Sequence, residues 1–544
     1  MASNTTEPHH GTNEHEITEK NGPSNHTEFA DGLQGKMNED ARMAAVAEHN
    51  MTLWQAVKTY RKAALWSILV STSIIMEGYD TTLIGSFYAY PEFKEKYGKY
   101  TGEESGYQLS SPWQAGISDI QAVGNIIGAL GNGYFTAKYG HRKVMMFNLV
   151  LMTGTIFVTF FAPNTTVLLI GAFLCSIPWG VFATQGPAYA AEVCPLALRG
   201  YLTAFVNLCW ATGQLLSAAV LKGLVNNETQ WSYRIPFAVQ WIWPIPLLIG
   251  AYYCPESPWF LVRAGRLDEA EHSLQRLSQE ADKVDHKQTI ALMVHTNELE
   301  KSERKGVSYW DCFKGTNLRR TEIACGAFLS QITDGGALAY SPTYFFEQAG
   351  IEANASYGIS LGGTGIAFCG TVISWFYISK FGRRSIFLTG FYILISCLFL
   401  IGILACVPQS SSIKYVQAAL CLVWLGSYSM TVGPIVYTIV AEIGATRLRT
   451  QTVVLGRSTY YVGNIVGGVL QPYMMNPTAW NWKGKTAFFW GTASTITTIW
   501  AFFRLPETKD RTFEELDILF LKKVPARHFS KAAVDPDDEF NTHA

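Results

Sequence analysis

The sequence predicts an all-α membrane protein of twelve transmembrane helices, arranged as two pseudo-symmetric six-helix bundles. Three observations carry that prediction. The first is composition: 48% of the 544 residues are hydrophobic and only 16% are charged, against about 25% charged in an ordinary soluble domain. The second is distribution, because the apolar residues fall in separate runs long enough to cross a bilayer. The third is internal repetition. AEVCPLALRG at 191–200 is answered by AEIGATRLRT at 441–450, GHRK at 140–143 by GRRS at 382–385, and PESP at 255–258 by PETK at 506–509.

Taken in order, residues 1–62 form a polar tail rich in His, Asn, Glu and Thr. It has no apolar core for a cleaved signal peptide, and its first fifty residues are expected to be disordered. An N-terminal bundle, 63–254, holds spans near 63–90, 113–137, 144–162, 166–190, 200–223 and 236–254. A polar connector, 255–319, follows. Within it Leu267, Ala270, Leu274 and Leu277 recur at helical spacing, which predicts an amphipathic helix outside the membrane. A C-terminal bundle, 320–504, holds spans near 320–345, 357–380, 385–407, 414–440, 452–473 and 485–504. The tail 505–544 closes the chain, with 528–544 read as a shorter disordered counterpart of the beginning.

Basic residues set the orientation. KYGHRK, LALRG, KFGRR and TRLR are basic connections, whereas APNTT at 162–166 and the connection 347–356 carry no Lys or Arg. The basic side is expected to face the cytosol, with both termini inside. NET at 227–229 and NAS at 354–356 then fall outside as glycosylation acceptors. The formal net charge of -1 gives no field for nucleic acid. The ten cysteines are scattered without metal-ligand or disulfide-framework spacing, so no metal is expected. There is no phosphate-cradling loop with a lysine and no nucleophile constellation, which disfavours ATP-driven pumping and enzymatic chemistry. No cofactor is expected.

The stretch IMEGYDTTLIG at 75–85 places Glu77 and Asp80 inside the first span. A charge at mid-bilayer costs roughly 2.5–3.5 kcal/mol on insertion scales, so an acid there needs a function or a partner. Three residues apart, the two share a helix face. Facing an aqueous cavity they suit a proton carrier; the alternative is a structural hydrogen bond. Arg457 in the eleventh span either snorkels to the interface or faces the cavity and balances the acids. Asp334, in QITDGGALAY, is a further intramembrane acid, read equally as a substrate contact or a local cap. Amides and aromatic faces within spans suit a ligand that presents both hydroxyls and apolar planes. Gln214, Asn464 and Trp179 supply such groups within spans, although each also suits helix packing.

At the residues GYD (78–80), GHRK, AEVCPLALRG, PESPWFLVRAGRLDEA (255–270), GPIVY (433–437) and PETKDRTFEEL (506–516), the chain resembles the sugar porters of the major facilitator superfamily, over nearly all of 55–525. EGYDTTLIGSFYAYPEFKEKYG (77–98), CSIPWGVF (175–182), RGYLTAFVNLCWATGQL (199–215) and TYFFEQAG (343–350) look like the fungal α-glucoside proton symporters within that group. The resemblance implies sugar-binding positions at Asn207, Gln331 and Tyr437. It also implies a cytosolic charge cluster of Glu192, Arg199, Glu442 and Arg449, beside Arg142, Arg383 and Arg384 in the basic turns, that holds one conformation closed on the inside.

The chain departs from the family pattern at Ala137, Ser379, Ala172, Asn207, Ile332 and Tyr437. Ala172 stands where the family has an arginine, so the acids lack their usual cation. The smaller polar groups at the sugar positions suit a disaccharide. The expectation is a monomeric plasma-membrane symporter, embedded in the lipid bilayer, that imports α-glucosides with protons. An uncoupled hexose or polyol facilitator and a transporter-like nutrient sensor are the alternatives.

Overall fold

The computed structural model describes residues 53–532 apart from 104–105, 279–285, 305–307, 340–341, 446–447, 510, 512 and 531. Six of the expected spans are carried by helices that are long and apolar enough to cross a membrane: His141–Phe160, Thr165–Val193, Trp231–Tyr253, Ala353–Ile378, Arg383–Cys406 and Ser411–Ile443. The other six fall on Arg61–Ser71 with Ile74–Phe87, Ser111–Tyr139, Leu196–Leu224, Gly315–Thr333 with Pro342–Gln348, Arg449–Met475, and Thr486–Arg504. Four of these six carry the membrane-embedded charged and amide groups singled out from sequence. Their polarity has a reason: a helix that lines a cavity trades apolar surface for functional groups.

Helix pairing repeats between the halves. The first span lies along the fifth as the seventh lies along the eleventh, and the second along the fourth as the eighth along the tenth. The halves meet where the fifth span runs beside the eighth and the second beside the eleventh. Small residues allow the closest approaches. A Cβ on Gly78 would sit 2.1 Å from the carbonyl oxygen of Trp210, and one on Gly213 would sit 2.1 Å from that of Ile75. The first and fifth spans therefore touch backbone to backbone, beside Asp80.

Several spans are broken where sequence reading expects continuous helix. The first breaks after Ser71, where the Thr72 and Ser73 hydroxyls donate back to the carbonyls of Leu69 and Val70. The seventh breaks at Asp334–Gly335, with Gly335 at φ 91°, and the tenth at Thr431, between Ser411–Met430 and Val432–Ile443. The sixth passes through a 3-10 turn at Gln240–Ile242 ahead of Pro244. Irregular backbone at membrane depth persists where protein or a cavity satisfies it.

Between the halves, polar contacts gather at the end opposite the basic turns. Tyr357 Oη donates to the Ser86 carbonyl at 2.5 Å and Asn476 Nδ2 to that of Leu109 at 2.8 Å. Lys94 pairs with Glu347, both largely buried, and Lys222 Nζ donates to the Asn354 carbonyl at 2.6 Å. Tyr90 and Tyr357 add an edge-to-face ring contact at 5.3 Å.

The segments outside the spans depart from expectation in three places. Leu53–Thr59 is helical, with Ala56 buried, inside the stretch read as N-terminal tail; the first fifty residues lie outside the description. The connector holds its amphipathic helix at Leu267–Leu277, buried on Ala270, Ser273, Leu274 and Leu277, whereas Leu267 is 44% exposed. A second helix, His286–Arg304, packs Met293 against Phe260 and Leu274. Finally, Phe513–Leu521 is helical and Phe529 is fully buried, so part of the segment 528–544 is packed. Alternating apolar residues there find partners only in the folded neighbourhood of the seventh and twelfth spans.

The close approach of the first and fifth spans makes a prediction. Gly213→Val overpacks a backbone contact and should cost about 1–3 kcal/mol, read as lower monodisperse yield and lower Tm in detergent. Gly133→Val, at a position with open space around it, is the control and should leave both unchanged.

Candidate functional site

Asp80 sits in the first span on Ile74–Phe87 and is 3% exposed. Its carboxylate accepts two amide hydrogen bonds, from Gln121 Nε2 of the second span at 3.0 Å and from Gln240 Nε2 of the sixth at 2.7 Å. Both donors are neutral. Gln240 reaches it from the 3-10 turn created by the WIWPIP sequence, so the proline-broken sixth span is what delivers the second amide. Glu77, one turn earlier, is half-buried.

A membrane-embedded cation comes from the other half. Arg457, on Arg449–Met475, acts electrostatically on Glu77. Its guanidinium lies over the rings of Tyr460 at 4.6 Å, Tyr461 at 5.0 Å, Phe328 at 5.7 Å and Tyr437 at 5.9 Å, and Nη1 donates to the Tyr437 hydroxyl at 3.1 Å. In this conformation its contacts are with the aromatic rings and the Tyr437 hydroxyl. Four rings around one guanidinium also hold it without a permanent carboxylate partner.

The amide and aromatic positions divide. Gln331 is 5% exposed and donates to the Gly433 carbonyl at 3.1 Å, in the first turn after the break in the tenth span. Tyr437 is 49% exposed and shares the Arg457 cage, with an edge-to-face contact to Phe328 at 5.6 Å. Asn207 is exposed and Asn464 half-buried, whereas Gln214 is buried. Trp179 is buried in a cluster with Cys175 and Phe182, the packing alternative for that residue. Asp334 is fully buried and accepts from the Gly336 N–H at 2.8 Å, while its own carbonyl accepts from Trp424 Nε1 at 3.1 Å. That is the capping geometry, closing the break in the seventh span.

At the opposite end the two halves build the same charge cluster twice. In the first, Glu192 pairs with Arg263 at 2.5 Å and His141 at 3.1 Å and accepts from the Ser257 hydroxyl, while Glu256 accepts from the His141 backbone N–H at 2.9 Å. In the second, Glu442 pairs with Arg383 at 2.9 Å and accepts from the Thr508 hydroxyl at 2.5 Å, while Glu507 accepts from the Arg383 N–H at 2.7 Å. Arg142 lies over Tyr252 and Arg384 over Phe502. The PESP and PETK repeats are thus explained: each supplies a carboxylate for the basic turn and a hydroxyl for the helix-end glutamate. Burial pushes the Glu256 carboxyl up, countered by the Ser257 and turn N–H groups it accepts from. These partners lie within one half and its flanking segment. The Arg199 and Arg449 side chains lie outside the described residues.

Sequence reading passes over Gln121 and Gln240, whose pairing with Asp80 joins three spans and leaves no periodic signal. It also omits Asp119 in the second span. The cost argument that marks Glu77 applies equally to that acid, whose carboxylate approaches the bare backbone of Gly468 across the halves. Among the described residues no cluster of metal-ligating side chains occurs.

The family described as sugar (and other) transporter matches residues 66–520. A maltose permease of Saccharomyces cerevisiae is 39% identical over 529 residues, covering 94% of this chain and 84% of the permease. A general alpha-glucoside permease of the same organism is 40% identical over 504 residues, covering 92% and 82%. Among solved structures, the xylose transporter XylE from E. coli in an inward open conformation superposes with a TM-score of 0.65 at 21% identity, over 83% of this chain and 98% of XylE. XylE as a proton:xylose symporter, bound to 6-bromo-6-deoxy-D-glucose, gives 0.65 at 20% identity over 86% and 100%. At such identities the likeness speaks for the major facilitator fold. With the family match across most of its length and relatives near 40% identity, the chain belongs to the sugar transporter family and is a membrane transporter.

Proposed function

We propose that this transporter imports α-linked glucose disaccharides together with protons, by rocking of two bundles about a site near the membrane midplane. The observation that carries the proposal is the setting of Asp80. A buried carboxylate held by two neutral amides can take up a proton without leaving a cation stranded, whereas an ion-paired one cannot. Glu77 shares the helix of Asp80 in one half and Arg457 belongs to the other, so in this proposal protonation and closure act on the same region. The substrate class rests on the maltose and alpha-glucoside permeases among the relatives, and on the short polar side chain of Asn207 taken together with Gln331 and Tyr437.

The division into tail 1–62, bundle 63–254, connector 255–319, bundle 320–504 and tail 505–544 belongs to this proposal, as do a plasma-membrane location, cytosolic termini and function as a monomer in the bilayer. The halves are held together at the end away from the basic turns, which supports reading this conformation as open toward the cytosol. The paired Glu192 and Glu442 clusters are proposed as gating elements with Arg199 and Arg449.

Asp80→Asn is isosteric and keeps one of the two acceptor oxygens, but it cannot cycle a proton. Uphill accumulation of maltose should vanish while downhill exchange persists; accumulation equal to wild type would remove Asp80 from the coupling. Glu192→Gln strips charge from its contacts with Arg263 and His141, each a charged hydrogen bond of about 1.5–3 kcal/mol. Maximal transport rate should fall about tenfold, the equivalent of roughly 1.4 kcal/mol, with equilibrium sugar affinity unchanged. A large loss of affinity alone would contradict the gating role. For the substrate, unlabelled maltose should displace labelled maltose far better than glucose does, and the reverse order would overturn the disaccharide assignment.

A further inference from the structure

At the end that carries the basic turns, the start of the seventh span, the end of the twelfth and the segment after Phe513–Leu521 enclose a cavity of about 750 Å³. Its walls are cationic: Arg319, Arg504, Lys523 and Arg527 all line it. Arg504 is held by Glu322, which also accepts from Trp500 Nε1 at 3.0 Å. Lys523 and Arg527 have no carboxylate partner among the described residues and are exposed. Arg527 instead lies over the rings of Phe502 and Phe503, 4.5 Å from each. The buried Nε of Arg319 has no acceptor, although Nη1 donates to the Val524 carbonyl at 2.9 Å.

Two further features favour an anion here. Gly315 and Thr316 line the cavity at the first turn of Gly315–Thr333, a helix whose N-cap, Lys314, makes no side-chain bond to it. The uncapped N–H groups of a helix start, with the helix dipole, favour negative charge. Lys523 is held at φ 54°, a left-handed conformation unfavourable for a long side chain. That turn brings Lys523 and Arg527 to the same opening. Strain kept at a cluster of like charges points to a use for them.

The rim distinguishes the kind of anion. Phe503 is 57% exposed, Leu521 51% and Leu318 49%, so apolar surface adjoins the cations at the end of a membrane span. A soluble phosphate compound gains nothing from such a rim, whereas a lipid covers it with its glycerol and acyl portion. Basic pockets at the cytoplasmic ends of spans are suited to phosphorylated headgroups. We infer that this cavity binds the phosphate-bearing headgroup of an anionic membrane lipid, with Lys523, Arg527 and Arg319 as its cations and Phe503 against its apolar part. The site is separate from the sugar and proton groups and involves the seventh and twelfth spans of one half.

The test uses the full-length protein in neutral detergent and dioctanoyl phosphatidylinositol 4-phosphate as the probe. Saturable binding is expected, with no binding of dioctanoyl phosphatidylcholine. The double variant Lys523→Ala, Arg527→Ala should bind roughly thirtyfold more weakly, about fivefold for each cation removed. Both side chains are exposed, so the size-exclusion profile should not change; if the double variant misfolds, Lys523→Gln alone should show the fivefold loss. Lys58→Ala, an exposed cation outside the cavity, should bind as wild type. Equal binding by the cavity variants overturns the proposal, as does an equal loss in Lys58→Ala, which would mean diffuse attraction. Inositol 1,4-bisphosphate binding as tightly as the lipid would make this a soluble-phosphate site and overturn the lipid assignment.

Discussion

The structure depends on one constraint: a carboxylate, Asp80, must be kept inside a membrane helix. Water is not available to solvate it, so the protein brings amides from two other spans. Gln121 comes from an intact helix, but Gln240 reaches Asp80 only because the sixth span is interrupted at Gln240–Ile242. The first span must also lie against its neighbours without intervening side chains, which Gly78 and Gly213 permit. Polar residues, a broken helix and bare glycines are each unfavourable in a membrane segment taken alone. Together they make one acid tolerable and leave it free of any permanent cation.

The second half supplies the complementary charge. Arg457 is wrapped by aromatic rings and tied to Tyr437, and its field reaches Glu77. Because the acid and the base belong to different halves, their interaction changes whenever the halves move. The repeated clusters at the basic end are arranged otherwise. Glu192 and Glu442 take partners within their own half, so each stiffens one bundle and its flanking segment. In the proposed mechanism, rocking is a motion of two rigid bodies, with the Lys94–Glu347 and Tyr357–Ser86 contacts closing the far end.

Much of this was legible in the sequence, for physical reasons. Bilayer thickness imposes a length on apolar runs, so the spans could be counted, and the motif repeat exposed the two halves. The cost of intramembrane charge marked Glu77, Asp80, Arg457 and Asp334 before any geometry was known. That same argument, applied evenly, would have marked Asp119 as well. What stayed hidden was pairing. Nothing in the periodicity of DIQAVGN or WIWPIP says that Gln121 and Gln240 meet at Asp80, since that depends on three helices at once. The fate of Arg457 was likewise open, because snorkelling and cavity-facing positions differ by rotation of the span. The breaks at Asp334 and Thr431 were signalled by glycine and proline nearby, but a glycine in a membrane helix equally marks close packing. The packed tail around Phe520 and Phe529 was missed because its apolar residues are too few to announce a core without their partners Arg319 and Arg320.

The central claim is that sugar and proton cross together through the Asp80 environment. Its most direct test is a recording of lumenal pH in proteoliposomes holding the purified protein, with an inside-negative potential imposed and no initial pH difference. Addition of maltose outside is predicted to acidify the lumen in step with sugar entry, and to do so faster while the potential is maintained. Entry of maltose at full rate with no movement of protons would contradict the account.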